Sequence, residues 1–249
     1  MNERHNQIGF NRYIKREWLD FTVDQVLAGQ SVNQIKASLS DLLSSQLSVG
    51  GSTAHNSSRG KTISILLSIW VAVPKPLAKL RDNALAQMQA IPQADYLPFH
   101  WGMTMTTYPF FGVVAESTGR SLTLQGNVSA AMLKARMQEL FGQRENVLRS
   151  TRYALQCFSS WGLLRETKEK NGIYELQAAQ KILDDELASW LLEALLLSSG
   201  TDMASLKSLL QSPRLFPFEI VQFTPNRKPS NQLDFFRQGL DEEMVMLKK

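Results

Sequence analysis

Arg149, Arg152 and Gln156 stand three and four residues apart, with Arg144 and Glu145 just ahead of them. That spacing puts side chains on one face of a helix. A guanidinium offers a planar fork of donors that fits guanine edges or phosphate oxygens, and a glutamine amide pairs with adenine. Val147, Leu148, Thr151, Ala154, Leu155, Phe158 and Trp161 fall on the other side and form the buried stripe. Lys168 and Lys170 follow in a short polar loop, where two cations can flank a phosphate backbone. The competing reading is an ordinary solvated face, which is what most basic helix faces are.

The elements that position this face are legible from punctuation. Leu122-Thr123-Leu124 reads as a brief strand, and Ser129 as the N-cap of a helix over 130–141 with Met132, Leu133, Met137 and Leu140 on one side. Gly142 stops it. The arginine helix then runs from about 144 to 161 and ends at Gly162. Residues 163–167, 168–172 and 173–176 spell strand, turn and strand, with Asn171-Gly172 closing the hairpin. Strand, two helices and a hairpin in this order are the plan of a winged helix-turn-helix, a fold that sets its second long helix against DNA. Winged helices also dock proteins, so the plan leaves both uses open.

A second cationic helix start lies nearer the N-terminus. Residues 16–28 read as a helix ended by Gly29, and Ser31 caps another whose Val32, Ile35, Leu39, Leu42, Leu43 and Leu47 form a stripe. The polar segment 48–56, with Gly50 and Gly51, reads as flexible. A third helix begins near Ser57 or Ser58, buries Ile63, Leu66, Leu67, Trp70 and Val73, and stops before Pro74 and Pro76. Three short helices match a helix-turn-helix, and the first turn of the third carries Ser57, Ser58, Arg59 and Lys61. Hydroxyls, backbone N–H groups and two cations there could clamp phosphate, although serines at a helix start are also plain caps. Gly60-Lys61-Thr62 resembles the end of a P-loop, but the glycine required five residues earlier is His55.

Composition sets outer bounds. The chain has 249 residues, 43% of them hydrophobic and 20% charged, which is ordinary for a protein with packed cores. The net charge of +4 is unevenly spread: residues 120–170 hold nine Lys/Arg against four Asp/Glu, and 171–249 hold eight against eleven. Excess positive charge thus falls on the segment where a polyanion would dock. One cysteine, Cys157, excludes an internal disulfide and suits a reducing compartment. The apolar runs 63–73 and 187–197 are short for a bilayer, and residues 1–11 lack the apolar core of a signal peptide, so a cytoplasmic protein is expected. His5, His55 and His100 do not fall at metal-ligand spacing, and no catalytic constellation assembles. The expectation is therefore a non-enzyme without metal or cofactor.

The remaining segments read as support. Residues 81–90 form a helix, and Phe99, Trp101, Met103, Tyr108, Phe110, Phe111 and Val114 belong to one aromatic core helix. A nearly all-apolar helix spans 184–199 and ends at Gly200; Thr201 or Asp202 caps another through Leu210. Strand-like 219–223 and the loop 224–231 lead to a C-terminal helix bearing Phe235, Phe236, Leu240 and Met244. The expected class is mainly α, with an N-terminal helix-turn-helix region (1–94), a central core helix plus winged helix (95–180) and a C-terminal helical region (181–249).

This order of parts resembles the BrxA family, small helical proteins of BREX phage-defence systems. The residues that carry the likeness are Ser57-Ser58-Arg59-Gly60-Lys61 on the third helix, the aromatic stretch 96–114, the helix running into a hydrophobic turn over 149–164, and Ser212-Pro213-Arg214-Leu215. The resemblance implies a non-enzymatic accessory that binds double-stranded DNA and works with other defence-system proteins. An adaptor that docks such proteins through its winged helix is the alternative.

Overall fold

The computed structural model describes residues 8–47, 57–91, 95–168, 171–225, 232–239 and 242–248, and over these the protein is mainly helical with small β-sheets. Helix α1 (Arg16–Leu27) is followed by α2 (Val32–Ser44), which starts on a capping box: the Ser31 side chain accepts from the Gln34 N–H, and Gln34 Oε1 accepts from the Ser31 N–H at 2.9 Å. Ser57 caps α3 (Ser58–Trp70) by accepting from the Gly60 N–H at 3.0 Å. After a 3-10 turn at Lys75–Leu77 comes α4 (Ala78–Ala90). The segment with Gly50 and Gly51 lies outside the described residues.

The aromatic stretch is two helices, not one: α5 (Leu97–Thr107) and α6 (Pro109–Gln125). Pro109 has no N–H and drives the preceding Tyr108 out of helical backbone, to φ −123° and ψ 84°, so the chain turns there. Helix α6 also runs through Leu122-Thr123-Leu124, where a strand was expected. Leu124 is exposed, and the true stop is Gly126, which takes the left-handed conformation at φ 74°. Three alternating residues were too few to separate strand from helix.

Strand β1 (Asn127–Ser129) therefore starts after that glycine. Ser129 caps α7 (Ala130–Phe141), α8 (Glu145–Ser160) follows, and β2 (Leu164–Glu166) and β3 (Ile173–Leu176) form the hairpin. The three strands are antiparallel in the order β1-β3-β2, with Val128 opposite Tyr174 and Arg165 opposite Glu175. After β4 (Gln180–Ile182), helix α9 (Asp185–Ser199) ends at Gly200 as its pattern predicted, with Asp184 as its N-cap and Gly200 in the left-handed conformation.

The rest departs from the sequence expectation and repeats what came before. Strand β5 (Met203–Ser205) replaces the expected helix start, and Ser205 caps the short α10 (Leu206–Leu210). A 3-10 turn at Pro213–Leu215 leads to β6 (Phe218–Ile220), which pairs in parallel with β4. The expected C-terminal helix is a β-hairpin, β7 (Leu233–Gln238) and β8 (Glu242–Leu247), turning at left-handed Gly239. Leu233 is buried and Asp234 exposed, Phe235 half-buried and Phe236 exposed; this is a period of two. Leu240 lies outside the described residues. The sheet order β5-β8-β7 matches β1-β3-β2, so a helix with a left-handed terminal glycine, a strand, a serine-capped helix and a hairpin occur twice.

One buried cluster takes residues from all three expected segments. Its centre is Trp101 on α5, ringed by Phe111, Phe158, Trp161, Phe216 and Phe218 at centroid distances of 5.1 to 6.3 Å. The N-terminal stretch threads into it: the Trp161 indole donates to the Ile14 carbonyl at 2.9 Å, and the Ile14 N–H donates to Cys157 Sγ at 3.3 Å. Gly102 lets α9 lie against α5, because a Cβ there would overlap the Trp190 ring.

Candidate nucleic-acid interface

Helix α8 owes its exposed face to a strongly two-sided sequence. Val147, Ser150, Thr151, Ala154, Leu155, Cys157 and Phe158 are buried against α6, α7 and the core. Arg144, Glu145, Asn146, Arg149, Arg152, Gln156 and Ser160 are all exposed. The stripe 145-149-152-156-160 follows one helical face for the full length of α8. Arg149, Arg152 and Gln156 are thus on one face, and Arg144 is exposed just ahead of it as the N-cap residue.

Their local partners fix how they stand. The Arg149 guanidinium donates to the Glu145 carboxylate one turn back, in an ion pair between side chains that are 45% and 82% exposed. The Arg144 guanidinium donates to the Phe141 carbonyl at 2.8 Å, tying the entry of α8 to the end of α7. Arg152 lies 5.3 Å from the Tyr153 ring centre and has no carboxylate within ion-pair distance among the described residues.

Two hydrogen bonds join the ends of β2 and β3 beside the turn. Glu166 Oε1 accepts from the Gly172 N–H at 2.6 Å, and the Thr167 N–H donates to the Ile173 carbonyl at 2.8 Å. Arg165 on β2 is 75% exposed and sits loosely, at 3.8 Å, beside Glu175 of β3. Lys168 is exposed at the edge of the turn; Lys170 lies outside the described residues. Arg165 was not singled out from sequence. Its signal was available, since it sits at the outward position of a short strand next to a basic turn.

The α3 start differs from its expectation. Ser58 is exposed and Ser57 and Lys61 are half-buried, but Arg59 is only 8% exposed, with its Nε buried and unpaired. Helix α3 packs against α1, α2 and α5, and seven of its residues are buried, Arg59, Thr62, Ile63, Ile65, Leu66, Ile69 and Trp70. Arg59 stands one turn before Ile63, on the same stripe as Leu66 and Trp70, and so points inward; isoleucines at 65 and 69 bury a second side of the helix. Ser57 serves as the helix cap, and Arg59 does not reach solvent as a phosphate clamp.

Other chemistry-bearing groups are built into the core. His100 is fully buried: its Nδ1 accepts from the Trp70 indole at 3.1 Å, which leaves the proton on Nε2, donated to Asp20 at 2.9 Å. Burial lowers its pKa, opposed by the Asp20 hydrogen bond. Both ring nitrogens are thus engaged. Burial pushes the Cys157 thiol up to about 12, so it is no nucleophile. Burial raises Glu193 to about 7, opposed by the charge of Lys79. Among the described residues no group of three or more His, Cys, Asp or Glu is placed to hold a metal ion, and no single helix is long and apolar enough to cross a membrane. Comparison with protein-family models, with curated proteins and with solved structures finds no match to this chain.

Proposed function

We propose that this protein is a cytoplasmic, non-enzymatic double-stranded DNA-binding protein, with the α6–β1–α7–α8–β2–β3 unit acting as a winged helix. The carrying observation is the exposed stripe of Arg149, Arg152 and Gln156 on the third helix of that unit, with Arg144 exposed at its start and a hairpin beside it that exposes Arg165 and Lys168. In a winged helix the third helix enters the major groove, and hairpin cations meet the flanking backbone. The resemblance to BrxA proteins supports a setting in phage defence, as an accessory or regulatory component. Fluorescence anisotropy with a labelled duplex tests the reading: salt-sensitive binding that weakens when Arg149 and Arg152 are replaced is expected. A folded protein that leaves a duplex unbound at low salt sinks it.

A protein-docking reading has an observation of its own. Met132 and Leu140 on α7 are 62% and 48% exposed, and with Val113 and Leu133 they line a groove of about 460 Å³ between α6 and α7. Co-purification of a neighbouring gene product that survives nuclease treatment, and is lost on Met132→Glu, would favour an adaptor.

A further inference from the structure

We propose that Glu145 and Arg149 act as one reading unit for a C·G base pair, an inference that rests on the DNA-binding reading above. A carboxylate is out of place on a surface that only grips phosphate, because it repels the backbone that the arginines attract. Glu145 nonetheless sits at the start of the cationic stripe, 82% exposed, in the first turn of α8. Side chains near the N-terminal end of such a helix are those that reach base edges.

The chemistry of the pair fits one target. In the major groove a C·G pair presents the cytosine N4 amino donor beside the guanine O6 and N7 acceptors. A guanidinium and a carboxylate hydrogen-bonded to each other offer the complement: donors for guanine and an acceptor for cytosine. The Glu145–Arg149 bond already holds the two groups together in the free protein, so the arginine fork need not be ordered at binding. Arg152 and Gln156 continue the same face by one and two further steps and supply contacts to neighbouring positions.

The pair has an ordinary alternative use. A glutamate in a first turn favours the helix dipole, and an exposed Glu–Arg pair four residues apart stabilises a helix slightly. That role touches melting temperature and leaves base preference alone. The experiment is selection from a randomised duplex pool by the full-length protein, its E145Q variant and its R149A variant, with melting curves confirming that each is folded. The wild type is expected to enrich a C·G pair at one fixed position. E145Q should lose the cytosine preference there by roughly tenfold while binding mixed-sequence duplex more tightly, and R149A should lose the guanine preference. Identical base preferences in wild type and E145Q overturn the proposal and leave DNA binding standing, as does a wild type that retains every duplex equally. A folded wild type that retains no duplex at low salt overturns both.

Discussion

The two hairpin units share a strand order and diverge at their third helix. In the first, α8 runs for 16 residues and turns a cationic face to solvent. In the second, the serine-capped helix is followed by the 3-10 turn Pro213–Leu215, pressed onto α6, and then by strand β6. Arg214 in this turn is 12% exposed and spends its guanidinium inside the protein: Nε donates to Glu116 at 2.9 Å and Nη1 to Ser198 at 3.2 Å. The same residue's carbonyl accepts from the Trp101 indole at 3.0 Å. The first unit therefore turns the arginines of its third helix to the outside, and the second uses the arginine at the equivalent place to lock the units together, with Arg237 on β7 left exposed.

Proline explains much of the divergence. Residues 145–160 contain none, whereas Pro213 and Pro217 bracket the segment that would have to continue as a helix in the second unit. Each lacks an N–H and each clashes with the helical turn before it. Gly119 on α6 completes the fit, because a Cβ there would overlap the Pro213 carbonyl. Shared strand order thus fixes the frame, and the third helix decides the use.

The sharpest way to break this contrast is to remove cations from each unit and measure DNA affinity. Arg149→Ala with Arg152→Ala should weaken duplex binding about a hundredfold, about 3 kcal/mol for two groove contacts, and flatten the salt dependence. Lys207→Ala with Arg237→Ala in the second unit should leave affinity unchanged. Equal losses from the two pairs in the same anisotropy titration would mean that both units bind DNA, and the contrast would fall.

Stability should respond in the opposite pattern. Arg214→Ala removes two side-chain contacts, to Ser198 and to Glu116, which keeps only its exposed partner Arg120, so it should cost about 2 kcal/mol in denaturant unfolding. Arg152→Ala, on an open face, should stay within about 0.5 kcal/mol. Glu193 sets a pH dependence on the helix that opens the second unit. Its folded pKa of about 7 lies above the ordinary value of 4.5, so its relative contribution to stability is fullest below 4.5 and is lost as pH rises towards 7. Glu193→Gln should therefore stabilise the protein at pH 8 by about 1 kcal/mol, since a buried amide keeps part of the desolvation cost, and should do nothing favourable at pH 4. Melting curves at the two pH values decide it; equal shifts at both would show that Glu193 does not titrate in the core.

How much of this was legible follows from the length of each signal. Helix α8, with its mostly apolar turn-spaced stripe, and the hairpin closed by Gly172 could be read directly, and so could the outward face that carries Arg149 and Arg152. The second unit could not, because its strand β5 and helix α10 are three and five residues long, shorter than any period can establish. Phe235, Phe236 and Met244 looked like a helix stripe only when Gly239 between two alternating runs was passed over. The inward position of Arg59 was legible: it stands 4, 7 and 11 residues before Ile63, Leu66 and Trp70, on the buried stripe itself, and its charge alone pointed outward. The Ser212–Leu215 motif carried a real constraint, but a structural one.

The smallest expected effect tests whether the hairpin belongs to the interface at all. Lys168 is exposed at the turn and has no ion-pair partner among the described residues, so it is available to a phosphate, and its loss removes one screened contact and no base contact. Lys168→Ala should weaken every duplex alike by two- to threefold, about 0.5 kcal/mol, and reduce the salt slope by roughly one ion. A uniform loss places the hairpin beside the backbone, as a wing. A change in base preference would put its tip in a groove instead. No change in affinity or slope would leave α8 as the whole of the contact, and the hairpin would then differ from β7 and β8 in charge but not in use.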